Sequence, residues 1–151
     1  MKEELKVKKI KDGTVIDHIK AGRGKKVLDI LGVDKHFSET TALLMNVPSK
    51  RVGYKDIVKI ENKTLKKEEV DKIALIAPKA SWNVIKNYKV VKKSRIEIPD
   101  MLEGVLTCPN PKCITNMGEP VTTKFKVEGK EPIRLRCQYC ERLFELEDVL
   151  K

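Results

Sequence analysis

The sequence predicts an α+β protein built from two parts, and three observations support this prediction. Its composition, 40% hydrophobic and 36% charged in 151 residues, is typical of a folded globular protein. Over the first hundred residues, β-rich runs alternate with two helical patterns. The remainder holds short strand patterns and all four cysteines. We therefore expect a larger domain over residues 1–96 and a small one over residues 101–151, joined by a linker between Ser94 and Asp100.

The first part follows the order strand, helix, strand, strand, helix, strand. Thr64 is the predicted N-cap of the second helix, and Pro78 ends that helix. This order is typical of a ferredoxin-like fold, in which two helices pack on one face of an antiparallel sheet. The predicted elements are the extended segments Leu5–Ile10 and Thr14–Ile19 around an Asp-Gly turn, a helix over Lys25–Leu31 capped by Gly32, a buried strand over Thr40–Val47, its antiparallel partner Tyr54–Glu61, a helix over Lys66–Ala77, and strands Ser81–Ile85 and Tyr88–Val91.

The second part is organised by two cysteine pairs, Cys108 with Cys113 and Cys137 with Cys140, which 23 residues separate. Two close pairs at hairpin spacing can deliver four thiolates to one tetrahedral Zn²⁺, and such a site leaves no coordination position for water. Two disulfides are an alternative, but they would need an oxidising compartment, and the sequence opens on charged residues without an apolar targeting segment. Four inert buried thiols are a second alternative, although these would have no reason to occur in close pairs.

Short strands complete this small all-β, zinc-ribbon-like part. Val121–Val127 and Ile133–Cys137 alternate apolar and polar residues around a turn at Glu128–Lys130, and Leu143 and Phe144 form a last short strand. About 50 residues bury too little apolar area to fold alone, so bound metal must contribute folding free energy.

Positive charge is concentrated in the first part. The net charge is +10, and residues 1–100 hold 24 Lys and Arg against 14 Asp and Glu, whereas residues 101–151 hold eight of each. Any anion site therefore belongs to the first hundred residues, although a solvated lysine face would give the same excess. No apolar run approaches the roughly 18 residues that span a bilayer, so we expect a cytoplasmic protein that does not contact membranes.

Catalytic chemistry has little support in the residues. His18 and His36 are the only histidines, and neither belongs to a nucleophile, metal or phosphate-loop motif. Asp17 and His18 are a polar pair within an otherwise apolar strand. Residue chemistry leaves two classes of function open: a nucleotide-sensing regulatory subunit, and a zinc-ribbon, nucleic-acid-binding protein of the transcription or translation machinery.

Five motifs occur in order along the chain: Gly13–Ile19, Asp56–Asn62, Leu75–Ala80, Asn87–Arg95 and Cys108-Pro109-Asn110. Together they resemble the regulatory chain of aspartate carbamoyltransferase, and the resemblance extends from about Val7 to Leu150. It implies a non-catalytic subunit of pyrimidine biosynthesis with a nucleotide domain and a zinc domain that docks on the catalytic chain. Regulatory chains of this family form homodimers, join catalytic trimers, typically as six and six chains, and bind ATP, CTP and sometimes UTP, but not nucleic acid.

The resemblance also implies a set of nucleotide-binding residues and their roles. Lys59, Lys93 and His18 would meet phosphates, and Asp17 would hold ribose hydroxyls. Backbone groups near Ile10, Tyr88 and Val90 would contact the base, with Ile85 and Val15 as apolar walls. The full set is Val7, Lys8, Lys9, Ile10, Val15, Asp17, His18, Lys59, Asn83, Ile85, Tyr88, Val90 and Lys93.

Two positions depart from the family pattern. The family pattern commonly has an acidic and a small residue where this chain has Lys8 and Lys9, so we expect base selectivity or the sign of the response to differ. The segment Ile114–Glu119 is one residue longer than usual, and we expect this to alter a contact with the catalytic chain.

Overall fold

A computed structural model describes residues 9–50 and 53–150, and the chain divides after Ile96 into two compact units, the first unit and the second unit. The strands are β1 (Gly13–Lys20), β2 (Thr41–Ser49), β3 (Gly53–Glu61), β4 (Ser81–Lys86), β5 (Lys89–Arg95), β6 (Met101–Glu103), β7 (Lys124–Lys130), β8 (Ile133–Cys137) and β9 (Leu143–Glu145). The helices are α1 (Gly24–Ile30), α2 (Lys67–Ile76) and α3 (Leu146–Val149), with a 3-10 turn at Ile114–Asn116.

The first unit is a five-stranded antiparallel sheet in the order β2-β3-β1-β4-β5. Strand β1 lies at the centre between β3 and β4, and α1 packs against β2, β3 and α2. This is the predicted ferredoxin-like arrangement, with β5 added as a fifth strand through its hairpin with β4. The predicted fold class is therefore confirmed.

Alternation along the strands sends apolar side chains into a core on one face of this sheet. Ile16 on β1 lies opposite Val58 on β3, and both are fully buried. Ile73 and Leu75 of α2 are fully buried as well. Because successive strand residues point to opposite faces, Val15 and its neighbours at every second position belong to the other face.

Asp56 joins three elements of the first unit from a fully buried position on β3. Its carboxylate accepts hydrogen bonds from the backbone N–H groups of Gly22 and Gly24 before and at the start of α1, at 3.0 and 2.9 Å, and of Asn46 in β2, at 3.0 Å. A Cβ on Gly24 would lie 2.6 Å from Leu43 Cδ1, so a larger residue here would have to displace the Leu43 side chain. The buried charge is thus satisfied by backbone donors.

One strand prediction in the first unit lies mostly outside the described residues, and another needs correction. Leu5–Lys8 lies outside the described residues, while Lys9 and Ile10 lie in no strand, and β1 instead pairs with β3 and β4. The strand expected to be buried, β2, is an edge strand with half-buried and exposed side chains, and Met45 is 49% exposed. Its apolar composition resembled a central strand, but its place at the sheet edge leaves it with one neighbouring strand.

Helix and linker boundaries also differ from the prediction. The N-cap of α2 is Lys66 and not Thr64, because the Lys66 N–H donates to the Glu69 carboxylate at 3.0 Å. Strand β5 extends through Ser94 to Arg95, residues that the sequence placed in the linker. Pairing with β4 extends this strand, and the sequence has no pattern that marks the residue at which such pairing stops.

The second unit is a four-stranded antiparallel sheet in the order β6-β7-β8-β9. Leu102, Phe125 and Leu135 are its largest fully buried side chains, and the Phe125 ring packs edge-to-face on Phe144 with 6.5 Å between centroids. Aromatic edge contacts of this kind are favourable. The unit is therefore the predicted small all-β module with few core residues.

Three details of the second unit were not predicted. The turn expected at Glu128–Lys130 is wrong, because β7 continues to Lys130 through a register shift and the chain reverses at Glu131–Pro132. Strand β6 and helix α3 were also missed, because elements of three and four residues are too short to show periodicity. Across residues 9–50 and 53–150, no helix has the length and apolar character needed to cross a membrane.

Candidate metal centre and effector face

The four cysteines of the second unit converge on one point. Cys108 and Cys113 flank the loop after β6, Cys137 ends β8, and Cys140 follows it. The four sulfurs all lie within 4.8 Å of one another, and three of the four residues are buried. The predicted clustering of the two pairs is therefore present in the structure.

Sulfur–sulfur distances distinguish between the possible uses of these thiols. Cys108 Sγ lies 3.8 Å from Cys140 Sγ, and Cys113 Sγ lies 3.8 Å from Cys137 Sγ. A disulfide would need about 2.0 Å. In a tetrahedral zinc site with Zn–S bonds of about 2.3 Å, neighbouring sulfurs lie about 3.8 Å apart. These two distances are too long for disulfides, and all four cysteines are free, so the residues fit a Zn²⁺ ion.

The surroundings of the four thiols shift their pKa values in opposite directions. Burial raises the pKa of Cys108 well above its usual range and also raises that of Cys137. Burial opposes ionisation of Cys140 too, yet the Arg142 backbone N–H and the Asn110 side chain lower its pKa to about 7. Four adjacent sulfurs in a buried site cannot all ionise without a cation, and a bound dication would reverse this balance.

Backbone amides surround the cluster in a regular way. Each sulfur accepts a hydrogen bond from the N–H of the residue two positions after its cysteine, namely Asn110, Thr115, Tyr139 and Arg142. Each loop therefore turns its backbone towards the sulfurs. This arrangement suits thiolate ligands, because amide donors stabilise negative sulfur.

The first unit brings four of the predicted nucleotide-binding residues into one row across the sheet. Lys59 on β3 lies directly opposite Val15 on β1, Val15 opposite Asn83 on β4, and Asn83 opposite Lys93 on β5. Directly opposed residues in antiparallel strands share a face, so all four belong to the face away from the helices. We call these four residues, together with the predicted residues on either side of the row, the effector face. The residues on either side are Asp17, His18, Ile85, Tyr88 and Val90.

The two lysines stand at the ends of this row. Three strand spacings of about 4.8 Å separate their Cα atoms by roughly 14 Å. A ligand above Val15 and Asn83 can therefore be approached from both sides by Lys59 and Lys93. Asn83 is buried, and its Nδ2 donates to the Val15 carbonyl at 3.4 Å, which orients the amide within the face.

Asp17 and His18 lie on one side of the row, where β1 carries an irregularity and His18 has a positive φ of 58°. Asp17 Oδ1 accepts the His18 N–H at 2.6 Å, and His18 Nδ1 lies 3.1 Å from Ser81 Oγ. Asp17 also forms a 2.9 Å ion pair with Lys55 Nζ. A ribose would therefore meet an Asp17 that is already paired.

The other predicted residues lie on the opposite side of the row. Ile85 is buried and pairs with Val90 on β5, while Tyr88 occupies the β4–β5 turn with a positive φ of 66°. The Tyr88 N–H donates to the carbonyl of Lys11 at 2.9 Å, so the residue directly after Ile10 reaches this turn. Val7 and Lys8 lie outside the described residues.

Sequence reasoning did not identify two basic residues beside the effector face. Lys55 reaches it through its ion pair with Asp17, and Arg95 lies opposite Ser81 in the row next to Lys59–Lys93. Strand alternation could have indicated Lys55, which is four residues from Lys59. The β4–β5 register was needed to place Arg95, and the sequence does not contain that information.

These two units define a class of protein: an α+β domain with a basic sheet face, joined to an all-β domain with a four-cysteine metal centre. Comparison with known families assigns residues 5–97 to the family model "Aspartate carbamoyltransferase regulatory chain, allosteric domain". Residues 100–150 match the corresponding metal binding domain.

Curated relatives match over nearly the whole chain. Aspartate carbamoyltransferase regulatory chains are 59% identical in Pyrococcus horikoshii over 148 residues and 58% identical in Pyrococcus furiosus, each covering 97% of both chains. The one from Korarchaeum cryptofilum is 51% identical and covers all of this chain and 97% of its own. The chain belongs to the aspartate carbamoyltransferase regulatory chain family, and the zinc-ribbon nucleic-acid alternative is not favoured. Its metal-binding domain and clustered cysteines support one structural Zn²⁺.

Proposed function

We propose that this chain is the non-catalytic, effector-binding subunit of aspartate carbamoyltransferase in the cytoplasm. Residues 1–96 bind ATP, CTP and sometimes UTP on the effector face. Residues 101–151 form the zinc domain that docks on the catalytic chain. Two such chains pair through their nucleotide domains, as the family resemblance implies. Nucleic acid and membranes are not partners in this proposal.

The row Lys59–Val15–Asn83–Lys93 is the observation that carries the effector site. It combines cations on both sides with an apolar wall and an amide at the centre. A nucleoside triphosphate offers the complementary features, namely several negative charges and an apolar ring with polar edges. Ionised hydrogen-bonding partners contribute about 1.5–3 kcal/mol each, enough for selective binding of a triphosphate.

In the second unit, Cys108, Cys113, Cys137 and Cys140 are the proposed ligands of one Zn²⁺. When bound, the metal supplies folding free energy and has no open coordination position. Cys108 and Cys113 hold one loop and Cys137 and Cys140 the other, so the chain around the metal keeps one shape.

Exposed apolar side chains on these loops support docking of the zinc domain. Ile114 is 45% exposed, Met117 58% and Tyr139 43%, and each lies within or just after a cysteine pair. Exposed apolar side chains that cluster on a rigid surface are typical of a protein interface. The proposed occupant is the catalytic chain, because the family assignment implies that partnership.

An effector changes the behaviour of the catalytic chain only if it binds two arrangements of the assembly with different affinities. The coupling free energy between two such sites is typically about 1–3 kcal/mol. In this proposal the regulatory pair transmits the difference through its zinc domains. The effector and metal sites then have separate roles, and single substitutions can affect one role without the other.

Calorimetric titration of the full chain with CTP and ATP tests the effector site. Lys93→Ala should weaken triphosphate binding about tenfold and spare association with the catalytic chain. Lys92→Ala is the matched control, because Lys92 is the neighbouring β5 residue, alternates to the other face and lies 5.8 Å from the Trp82 ring. It should leave the affinity nearly unchanged.

Single-stranded RNA added as a competitor separates the two classes of function. Excess RNA should not displace the bound nucleotide. Salt-sensitive RNA binding without a saturable nucleotide site would contradict the proposal and support the zinc-ribbon alternative. Equal weakening by Lys93→Ala and Lys92→Ala would contradict the assignment of the effector face.

Removal of the metal tests the docking role. Chelation should abolish association with the catalytic trimer, followed by sedimentation, while CTP affinity persists. Association that survives complete zinc removal would contradict the role of the zinc domain. Loss of both properties together would contradict the separation of roles.

A further inference from the structure

Two side chains of the short 3-10 turn after Cys113 form hydrogen bonds around the metal centre. The Thr115 hydroxyl donates to Cys113 Sγ at 3.2 Å. The Asn116 side-chain amide donates to the carbonyls of Cys108 and Asn110, at 2.8 and 2.7 Å. Both contacts come from outside the four-cysteine set and reach the first cysteine pair.

The Thr115 contact acts on the ligand itself. Four thiolates around a dication carry a net charge of −2, and each hydrogen bond to a sulfur lowers its electron density and fixes its orientation. The backbone N–H of Thr115 also donates to Cys113. Cys113 therefore receives two donors from a single residue, and the hydroxyl is the donor that substitution can remove.

The Asn116 contact acts on the loop. Four residues separate Cys108 from Cys113, whereas two separate Cys137 from Cys140, so the first loop has more conformational freedom to restrict. An amide NH₂ group has two hydrogens, and here each finds a carbonyl of this loop. Asn116 thereby ties the end of the loop back to its beginning.

We propose that Thr115 and Asn116 are positioning residues that set how tightly this chain retains zinc. Thr115 does so through the Cys113 sulfur, and Asn116 through the shape of the first loop. This inference rests on the proposed zinc ligands. Outer hydrogen-bond partners of metal ligands typically change metal affinity 10- to 100-fold.

Zinc release from the full chain to an excess of chromogenic chelator tests this inference. Thr115→Val and Asn116→Ala should each release zinc about tenfold faster than the unsubstituted chain. Thr115→Ser retains the hydroxyl and should restore slow release. Thr123→Val is the matched control, since the Thr123 hydroxyl lies in the same unit and donates to a backbone carbonyl, that of Leu106 at 2.6 Å, and not to a sulfur.

Cobalt substitution separates the two roles from a general loss of stability. Removal of a donor from a thiolate raises the energy of its lone pairs. The sulfur-to-cobalt charge-transfer band should therefore move to longer wavelength in Thr115→Val. It should stay unchanged in Asn116→Ala and Thr123→Val. The tetrahedral cobalt bands show that each variant is folded and loaded, and Thr115→Ala provides a second hydroxyl-free variant.

The outcomes are distinct. Release from Thr115→Val and Asn116→Ala at the rate of the Thr123→Val control, with unshifted cobalt bands, would overturn the inference and leave the zinc site in place. Failure of the unsubstituted chain to take up one metal ion per chain would instead overturn the proposed ligand set.

Discussion

The two units of this chain obtain their order from different sources. In the first unit, Ile16, Val58 and Ile73 are fully buried beneath a five-stranded sheet, and helix packing excludes water from this core. The second unit fully buries few large side chains, chiefly Leu102, Phe125 and Leu135, and holds four thiols at its cysteine loops. A hydrophobic core stabilises the first unit, whereas the second depends on coordination and on the hydrogen bonds around it.

This difference matches the proposed roles. The proposed effector site needs an accessible sheet face that a rigid core holds in place. In the first unit, one face of the sheet covers the core, and the strand register sets which residues share the other face. A docking surface needs loops of fixed shape, and a closed metal centre restrains loops that a small core cannot. Each unit can therefore be perturbed separately.

Metal removal should produce the largest effect and should be confined to the second unit. Zinc binding contributes about 10–16 kcal/mol in small metal-dependent domains, so chelation should unfold β7 and β8. Hydrogen exchange should show loss of protection in these strands and retention in β1 and β3. Acid should act in the same direction, because protons compete with Zn²⁺ for the thiolates. Equal deprotection of both units would contradict the comparison.

Asp56→Ala should destabilise the first unit by about 3 kcal/mol or more, because three backbone N–H groups lose their buried acceptor. Zinc retention should remain normal. Urea unfolding followed by the fluorescence of Trp82, the single tryptophan of the chain, measures this change. Asp34→Ala is the control, since Asp34 accepts an exposed hydrogen bond from the His36 N–H, and it should cost less than about 0.5 kcal/mol.

Lys59→Ala should weaken CTP binding about tenfold, which corresponds to about 1.4 kcal/mol, with little change in the stability of the free chain. Lys59 stands at the end of the row opposite Lys93, so the two substitutions together should reduce affinity more than either alone. Calorimetry measures the affinities, and Lys26→Ala on the exposed surface of α1 is the control. A loss of free-chain stability as large as the loss of binding would indicate a structural role for Lys59.

The smallest expected effect concerns the exposed ion pair between Glu128 and Arg136 in the second unit, at 2.7 Å. The hydrogen bond from Arg136 holds the pKa of Glu128 below its ordinary value. Because the folded-state pKa is the lower one, the pair stabilises the fold above the unfolded-state pKa, and this contribution is lost as the pH falls through the folded-state pKa.

Carboxyl NMR titration of Arg136→Leu should show the Glu128 pKa returning to its ordinary range. The change in thermal stability at neutral pH should be small, since solvent screens exposed pairs. An unchanged Glu128 pKa in this variant would show that another group causes the shift.

Several features could be predicted from the sequence because they depend on local patterns. The spacing of Cys108, Cys113, Cys137 and Cys140 indicated a single metal centre, and the positive φ of 72° at Gly32 agrees with its predicted capping of α1. The alternation of strands and helices indicated the ferredoxin-like fold. The division of charge directed attention to the first hundred residues for an anion site.

Other features depend on strand pairing and hydrogen bonds that no local sequence pattern indicates. The edge position of β2 and the extension of β5 to Arg95 are set by strand pairing across the sheet. The Asp17–Lys55 ion pair joins residues 38 positions apart, and no local pattern indicates it. Thr115 and Asn116 look like ordinary loop residues until their hydrogen bonds are seen.

The sequence by itself determined the chemical inventory: the fold class, the four-thiol metal site, the basic first domain and the family resemblance. These follow from residue types and their spacing. Only the tertiary structure decided which side chains share a surface, because antiparallel register selects the neighbours of each residue. It aligned Lys59, Val15, Asn83 and Lys93 in one row. Thr115 and Asn116 are close to Cys113 in the sequence, but only the folded loop showed which sulfur and which carbonyls their side chains bind.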